Sequence, residues 1–361
     1  MTALKERIAG LIRTLGPISV AEYFSLCLSD PAHGYYMTRD PFGRDGDFTT
    51  APEISQIFGE LIGVWLATAW RALGRPDHPI VAEIGPGRGT LAKDIFRTLA
   101  KLEPGLCDAA RFNLVETSPK LVAVQERTLE GAGSRFGWVR GVEHLPDGPL
   151  LIVGNELFDA IPTRQYVRAG GAWRERMIGL DMADRLEFVA GAGSLDPSLL
   201  PPGAGAAGDG TIFEAAPART ALMHIVAERI AENGGAGLFI DYGHLSPGLG
   251  DTLQAVRKHR PEDVLENPGE ADLTSHVDFS ALAETARVAG LDAHLTTQGA
   301  FLLALGLLER AGALGANAGE AERDEIRAAV ERLAGPDQMG DLFKVLAILP
   351  RGVSVRPFGH E

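Results

Sequence analysis

The sequence predicts an α/β protein built on a mostly parallel sheet with helices on both faces, and three observations carry that expectation. From Pro79 onward, short apolar runs alternate with amphipathic helical patterns, as in consecutive βαβ units. A glycine-rich turn, "EIGPGRGT", joins the first of these runs to the first helix. Acidic residues stand where the runs end, at Glu116, at Glu156 and Asp159, and at Asp241. The carboxyl edge of a parallel sheet is where such folds bind ligands.

Residues 1 to about 75 precede this pattern and read as a helical cap and lid. At the start, Leu4, Ile8, Leu11, Ile12 and Leu15 share one helical face; acidic Glu6 and the absence of serine separate this segment from a transit peptide. The break "SDPAHGYYMTRDPFGRDGDF" has the composition of a lid or binding loop, and Tyr35, Tyr36 and Phe42 would line a substrate mouth. In "GDFTTAPEIS", Gly46 to Ser55, Thr50 and Glu53 have the spacing of a capping box, with Pro52 in the first turn. An apolar helix follows through Ile54, Ile57, Phe58, Leu61, Ile62 and Trp65.

The second domain spans 76–361. "PIVAEIG" is the first strand, followed by the helix "TLAKDIFRTLAKL". "RFNLVETS" is the second strand and "PKLVAVQERTLEG" its helix; "FGWVRGVEHLP" supplies a third strand and "GPLLIVGNELFDAIP" a fourth with an acidic exit. "GAGLFIDYG" is the fifth, reached through a helix around Thr220 to Asn233. An insertion at about 163–210 alternates with period two and has turn signals at Gly170-Gly171 and near Ala183-Asp184, so it reads as antiparallel β structure. Beyond strand five, "TLQAVRKH" and "LDAHLTTQ" read as strands and "VDFSALAETARVAG" as a helix ending at Gly290. A second insertion, about 299–338, holds two helical patterns, and "LFKVLAILP" is the last strand.

The formal net charge of −14 disfavours nucleic acid and anionic membranes as partners and suits a basic ligand. The two cysteines, Cys27 and Cys107, are far apart and form no C-x-x-C, which argues against a disulfide framework or a bound metal and for a reducing compartment. No apolar run reaches membrane-spanning length.

Glu83, Gly85, Gly87 and Gly89 form an E-x-G-x-G-x-G turn, in which glycine lets the backbone approach a ligand and bend freely. The spacing departs from the G-x-G-x-x-G dinucleotide fingerprint. It resembles the first motif of class I S-adenosyl-L-methionine methyltransferases, a Rossmann-like fold. Under that resemblance Glu116 accepts hydrogen bonds from the ribose hydroxyls. Asn155, Glu156 and Asp159 then leave the strand where such enzymes place their transfer chemistry.

"GDFTTAPEISQIFGELIG", "EIGPGRGTL", "GNELFDAIP", "FIDYG" and "DLTSHVDF" occur in the order seen in the MidA family, relatives of the mitochondrial complex I assembly-factor methyltransferase, which the chain resembles from about Ser19 to its last strand. The resemblance implies S-adenosyl-L-methionine as cofactor and symmetric dimethylation of an arginine in the large core subunit of respiratory complex I, in the bacterial cytoplasm or, for a eukaryotic chain, the mitochondrial matrix. A methyltransferase for another protein residue or a small molecule, and a cofactor-binding assembly chaperone, are the alternatives. The lack of N-P-P-[YF] after strand four weighs against amide or adenine amino-methylation. Thr50, Pro52, Glu53 and Gln56 would then border the methionine end of the cofactor, beside Asn155. Glu156 and Asp159 would hold a guanidinium in a forked clamp, with Asp241 and Tyr242 opposite and His244 placed to take up a proton through water. Ser275 or Asp278 would cap a helix in "SHVDFS", with His276 near the cleft.

Overall fold

All residues of Ile80–Ile84 (β1) and of Leu150–Asn155 (β4) are buried, as expected of central strands covered on both faces. They sit in the computed structural model, which describes residues 2–38, 50–132 and 135–358. The chain divides into two units: Met1–Phe48 with Phe158–Ala221 and Ser246–Asp278, and Thr49–Leu157 with Leu222–Leu245 and Phe279–Glu361.

The second unit holds the large sheet. Its other strands are Arg111–Val115 (β2), Phe136–Val139 (β3), Gly235–His244 (β5), Leu291–Thr297 (β6) and Phe343–Pro350 (β7). They run in the order β6-β7-β5-β4-β1-β2-β3. Pairing is parallel from β5 to β3, and β7 is antiparallel to both β5 and β6. The chain builds outward from β1 to β3 and then returns to place β4 on the other side of β1. That reversal opens a crevice at the carboxyl ends of β1 and β4.

Within the second unit, helices Ala51–Ile54 (α1) and Gln56–Ala72 (α2) lead into β1. The continuous capped helix expected here is interrupted. Ser55 is extended, with φ −160°, and the chain restarts there; its Oγ accepts the Ile57 N–H at 3.3 Å, whereas Thr50 makes no side-chain capping bond. The expected capping box is therefore replaced by a cap five residues on. Helix α2 buries Ile57, Phe58, Leu61, Ile62 and Trp65 in one cluster with Val81, Leu151 and Val153. The division of the chain thus falls near residue 49 and not near 75, because α2 is part of the sheet's own core. Thr90–Leu102 (α3) lies against α2 at close range: a Cβ at Gly59 would come within 2.6 Å of Asp94, and one at Gly63 within 2.9 Å of Thr98. Pro119–Thr128 (α4) follows β2 and is capped by Ser118.

In the first unit, helix Ala3–Leu15 buries Leu4, Ile8 and Ile12, but Leu15, expected on the same face, is 76% exposed at the helix end before Gly16. Helix Val20–Ser29 carries a complete capping box, Ser19 with Glu22. The expected antiparallel insertion forms: Arg164–Ala169, Ala172–Leu180 and Leu186–Ser194 pair in succession, turning at Gly170-Gly171 (φ +57° and +79°) and at Asp184 (φ +60°). Ile212–Ala215 adds to Arg164–Ala169, beyond the expected limit near 210. Gln254–Arg257 joins a small sheet with Arg260–Glu262 and Asp272–Thr274. Tyr35 is core in this unit, while the Tyr36 hydroxyl donates to Asp272 at 3.0 Å. Phe42 and Gly46–Thr49 lie outside the described residues. No helix among the described residues is long and apolar enough to cross a membrane.

Candidate active site

The glycine turn lies at the crevice beyond β1. Gly85, Gly87 and Gly89 all have positive φ, +64°, +51° and +83°, a conformation that side chains with a Cβ resist. Beyond φ, a Cβ at Gly85 would lie 3.1 Å from Leu157, and one at Gly89 3.5 Å from Gln125. Gly85 N–H donates to the Val115 carbonyl at 3.1 Å, tying the turn to the end of β2. Gly89 is also the N-terminal cap position of α3.

Glu83 is 5% exposed on β1, and burial pushes its carboxyl up to about 8, opposed by a hydrogen bond from the Ala92 backbone in the first turn of α3. Its Oε2 has no hydrogen-bond partner among the described residues. Glu83 pairs in register with Val153, so Asn155, two residues farther along β4, presents its side chain on the same face. Asn155 is also buried, and its Oδ1 has no partner among the described residues. Two buried oxygens without partners among the described residues therefore lie on neighbouring strands beside the glycine turn.

Glu116 closes the other side, just past β2. Its Oε1 accepts the N–H groups of Thr117 (2.8 Å) and Ser118 (2.7 Å), and its Oε2 accepts Gln125 Nε2 (3.1 Å). Burial raises its carboxyl; the Ser118 N–H, the Gln125 side chain and the Thr117 N–H oppose this, in that order. Gln125 and its neighbour Trp138 were missed in the sequence. Their one signal is that Gln125 takes the place of an apolar residue between buried Leu121 and Leu129.

Glu156 takes a left-handed conformation, φ +50°, and its backbone N–H donates to the Ile240 carbonyl at 2.9 Å. Its Oε1 accepts the Ala51 N–H (3.2 Å) and Asn155 Nδ2 (3.0 Å). The carboxylate expected to clamp a substrate is thus engaged in anchoring α1, and with it Thr50, Pro52 and Glu53, to the exit of β4. Gln56, expected beside the cofactor, is exposed, and its Oε1 accepts from Arg97 at 3.4 Å. Asp241 is fully buried near the end of β5, where its Oδ1 accepts the Tyr242 N–H at 2.9 Å; the Tyr242 ring meets Phe343 edge-on at 5.5 Å. His244 is the last residue of β5.

Asp159 belongs to the first unit. It is buried in a tight turn where Ile161 N–H donates to the Phe158 carbonyl, and its Oδ1 accepts the Ala160 N–H at 2.8 Å. Its carbonyl accepts the Ser275 N–H and Arg219 Nη2, both at 3.2 Å. Arg219, buried and also unforeseen, donates further to the carbonyls of Ile161 (3.0 Å) and His276 (2.7 Å) and to the Ser275 hydroxyl. One guanidinium thereby ties the Asp159 turn to the Ser275-His276 segment. Ser275 spends its side chain on this tie, and Asp278 immediately precedes the helix Phe279–Val288.

The second unit fits S-adenosyl-L-methionine. Unmatched Asn155 Oδ1 is an acceptor suited to an N–H-bearing group, unmatched Glu83 Oε2 can donate while its carboxyl is protonated and accept from a cationic group once it ionises, and Glu116 keeps acceptor capacity for a hydroxyl. Among the described residues no group of three or more His, Cys, Asp or Glu is placed to hold a metal ion.

The family described as "Putative S-adenosyl-L-methionine-dependent methyltransferase" matches residues 61–297. The protein arginine methyltransferase NDUFAF7 homolog, mitochondrial, of Drosophila melanogaster is 36% identical over 383 residues, covering 96% of this chain and 85% of that protein. Human protein arginine methyltransferase NDUFAF7, mitochondrial, is 36% identical over 377 residues, covering 97% and 84%. A Burkholderia thailandensis protein crystallised with S-adenosyl-homocysteine superimposes with a TM-score of 0.82 at 29% identity, over 98% of this chain and 92% of that one.

Proposed function

The chain belongs to this family of S-adenosyl-L-methionine-dependent methyltransferases, and from that premise we propose that it methylates an arginine of a protein, in a core subunit of respiratory complex I. The observation that carries the arginine reading is its 36% identity, over nearly its whole length, to relatives named as protein arginine methyltransferases. The net charge of −14 is in keeping with a cationic target. Symmetric dimethylation belongs to the same proposal. So does the compartment, the mitochondrial matrix in a eukaryote or the cytoplasm in a bacterium; both cysteines are free and buried, as suits a reducing setting.

When bound, S-adenosyl-L-methionine supplies an activated methyl group. The protein's task is to hold it and to present a nucleophile with water excluded. In this reading the positive-φ turn and Glu116 position the nucleoside, Glu83 and Asn155 face the amino-acid end, and Glu156 holds α1, with Thr50, Pro52 and Glu53, as the rim. Arginine stays protonated in water, so a carboxylate must hold the guanidinium and leave one nitrogen available. With Glu156 engaged by Ala51 and Asn155, Asp159 is the residue assigned to that task. Asp241 shapes the end of β5.

The test is incubation with methyl-labelled cofactor and either purified complex I core subunits or whole lysate, followed by mass spectrometry of the labelled product. Two methyl groups on one arginine are expected. Label on another residue or on a small molecule would overturn the arginine reading. Cofactor binding without any label on any protein would favour a chaperone.

A further inference from the structure

We propose that Gln125 is a positioning residue that turns Glu116 into a reader of the cofactor's ribose, so that selectivity at the sugar depends on an amide one shell behind it. The inference rests on the assignment of Glu116 to the ribose and narrows it to one of the two hydroxyls.

Gln125 is fully buried on α4. The chemistry of its neighbours settles which way its amide points. The Trp138 indole N–H can only donate and the Gly87 carbonyl can only accept. Accordingly Oε1 accepts from Trp138 Nε1 at 2.9 Å, and Nε2 donates to the Gly87 carbonyl at 2.8 Å. The second Nε2 hydrogen then reaches Glu116 Oε2 at 3.1 Å. A flipped amide would set its oxygen against the Gly87 carbonyl and the Glu116 carboxylate, so Trp138 locks the orientation.

The consequence falls on Glu116. Its Oε1 accepts from Thr117 and Ser118, which uses both lone pairs, and its Oε2 accepts from Gln125, which leaves one. The carboxylate is therefore held from three directions with a single acceptor position open, the arrangement that reads one hydroxyl and not a diffuse positive charge. The same amide supports the carbonyl of the central turn glycine, and the Gln125 Cα and Cγ lie 3.5 Å from where a Cβ on Gly89 would stand. The glycine turn, the end of β2 and β3 are thus referenced to one side chain.

The experiment is calorimetry on the full chain with S-adenosyl-homocysteine and its 2′-deoxy and 3′-deoxy forms. Wild-type protein should bind one deoxy form at least about tenfold more weakly than the parent compound. Gln125→Leu should weaken the parent by about ten- to a hundredfold, the cost of a hydrogen bond to a charged group, while changing the disfavoured deoxy form far less, so that selectivity at the sugar disappears. Trp138→Phe, which frees the amide to rotate but leaves Glu116 and Gln125 in place, should shift selectivity the same way by a smaller factor, and it carries the test if Gln125→Leu does not fold. Equal losses for all three ligands in a folded variant would make Gln125 scaffold only and overturn the proposal, as would unchanged parent affinity. Wild-type indifference to both deoxy forms would instead remove the ribose assignment of Glu116, and the relay with it.

Discussion

Glu83 makes a stability prediction that needs no substrate. Its carboxyl titrates near 4.5 when solvated and is pushed up to about 8 in the folded chain, chiefly by burial. Between those values the folded state holds one proton more than the unfolded state. Stability must therefore fall as pH rises, by about 1.4 kcal/mol per unit for one proton, and level off above the folded value. Asp94, raised to about 6 mainly by burial, contributes the same sign but only below that pH. The interval from pH 6 to 8 is where Glu83 is expected to stand out, at about 2 kcal/mol in total. Glu83→Gln keeps the shape and an acceptor for the Ala92 N–H but cannot ionise. Urea denaturation of the ligand-free protein at half-unit steps should show wild type losing about 2 kcal/mol relative to Glu83→Gln between pH 6 and 8. A carbon-13 titration of the Glu83 carboxyl, assigned by its absence in the variant, should have its midpoint near 8. A difference between the two proteins that stays constant over that interval, or a carboxyl midpoint below 6, would refute the reasoning.

The remaining expectations concern the rim and the proposed substrate acid. Ser55→Ala should cost about 1 kcal/mol of stability and Thr50→Ala only a few tenths, measured by denaturation, since Ser55 supplies the cap that is formed; the reverse ranking would restore the Thr50 box. Glu156→Ala should speed hydrogen exchange of the Ala51 amide by about ten- to a hundredfold while Glu156→Gln spares most of its protection; equal protection in all three proteins would show that the bond does not hold α1. Asp159→Asn should leave cofactor affinity intact and lower arginine methylation by at least about tenfold; a variant with normal transfer would remove Asp159 from the chemistry.

The sheet was legible because its physics is local. Strands buried on both faces must be continuous apolar runs, and "PIVAEIG", "GPLLIVGN" and "GAGLFIDYG" each became one. The glycine turn was legible for a similar reason, since three glycines at alternate positions proclaim a backbone that side chains with a Cβ cannot follow, and all three have positive φ. The domain limit was not legible. Helix α2 is apolar over most of its surface, and nothing in such a segment says which core it will join; it joined the sheet. Capping patterns failed in an instructive way. Ser19-x-x-Glu22 and Thr50-x-x-Glu53 have the same spacing, but only the first precedes an uninterrupted helix, and the extended Ser55 relocates the second cap.

The acids of the site show why a sequence names functional residues more readily than it assigns them work. Glu83 and Glu156 both read as ligands, one in the glycine motif and one at the exit of β4. Both are also bound into the fold at the start of a helix: Glu83 accepts from the backbone of Ala92 in α3, and Glu156 from that of Ala51 in α1. A helix start exposes unsatisfied N–H groups, and a carboxylate there answers both the missing hydrogen bonds and the positive end of the helix dipole. In Glu83 one oxygen takes the helix-start N–H and the other, Oε2, has no partner among the described residues. Anchoring a helix and, in the proposed reading, facing the cofactor would be one arrangement seen from two sides, since the acid that fixes the helix start also lies at the sheet edge. Gln125 extends the arrangement by a further step. It bears no charge and sits at an apolar position of its helix, yet it connects the glycine turn to Glu116. Its role follows only from which carbonyl, carboxylate and indole the fold brings within 3.1 Å of one amide, and such three-way meetings leave no periodic trace in the chain.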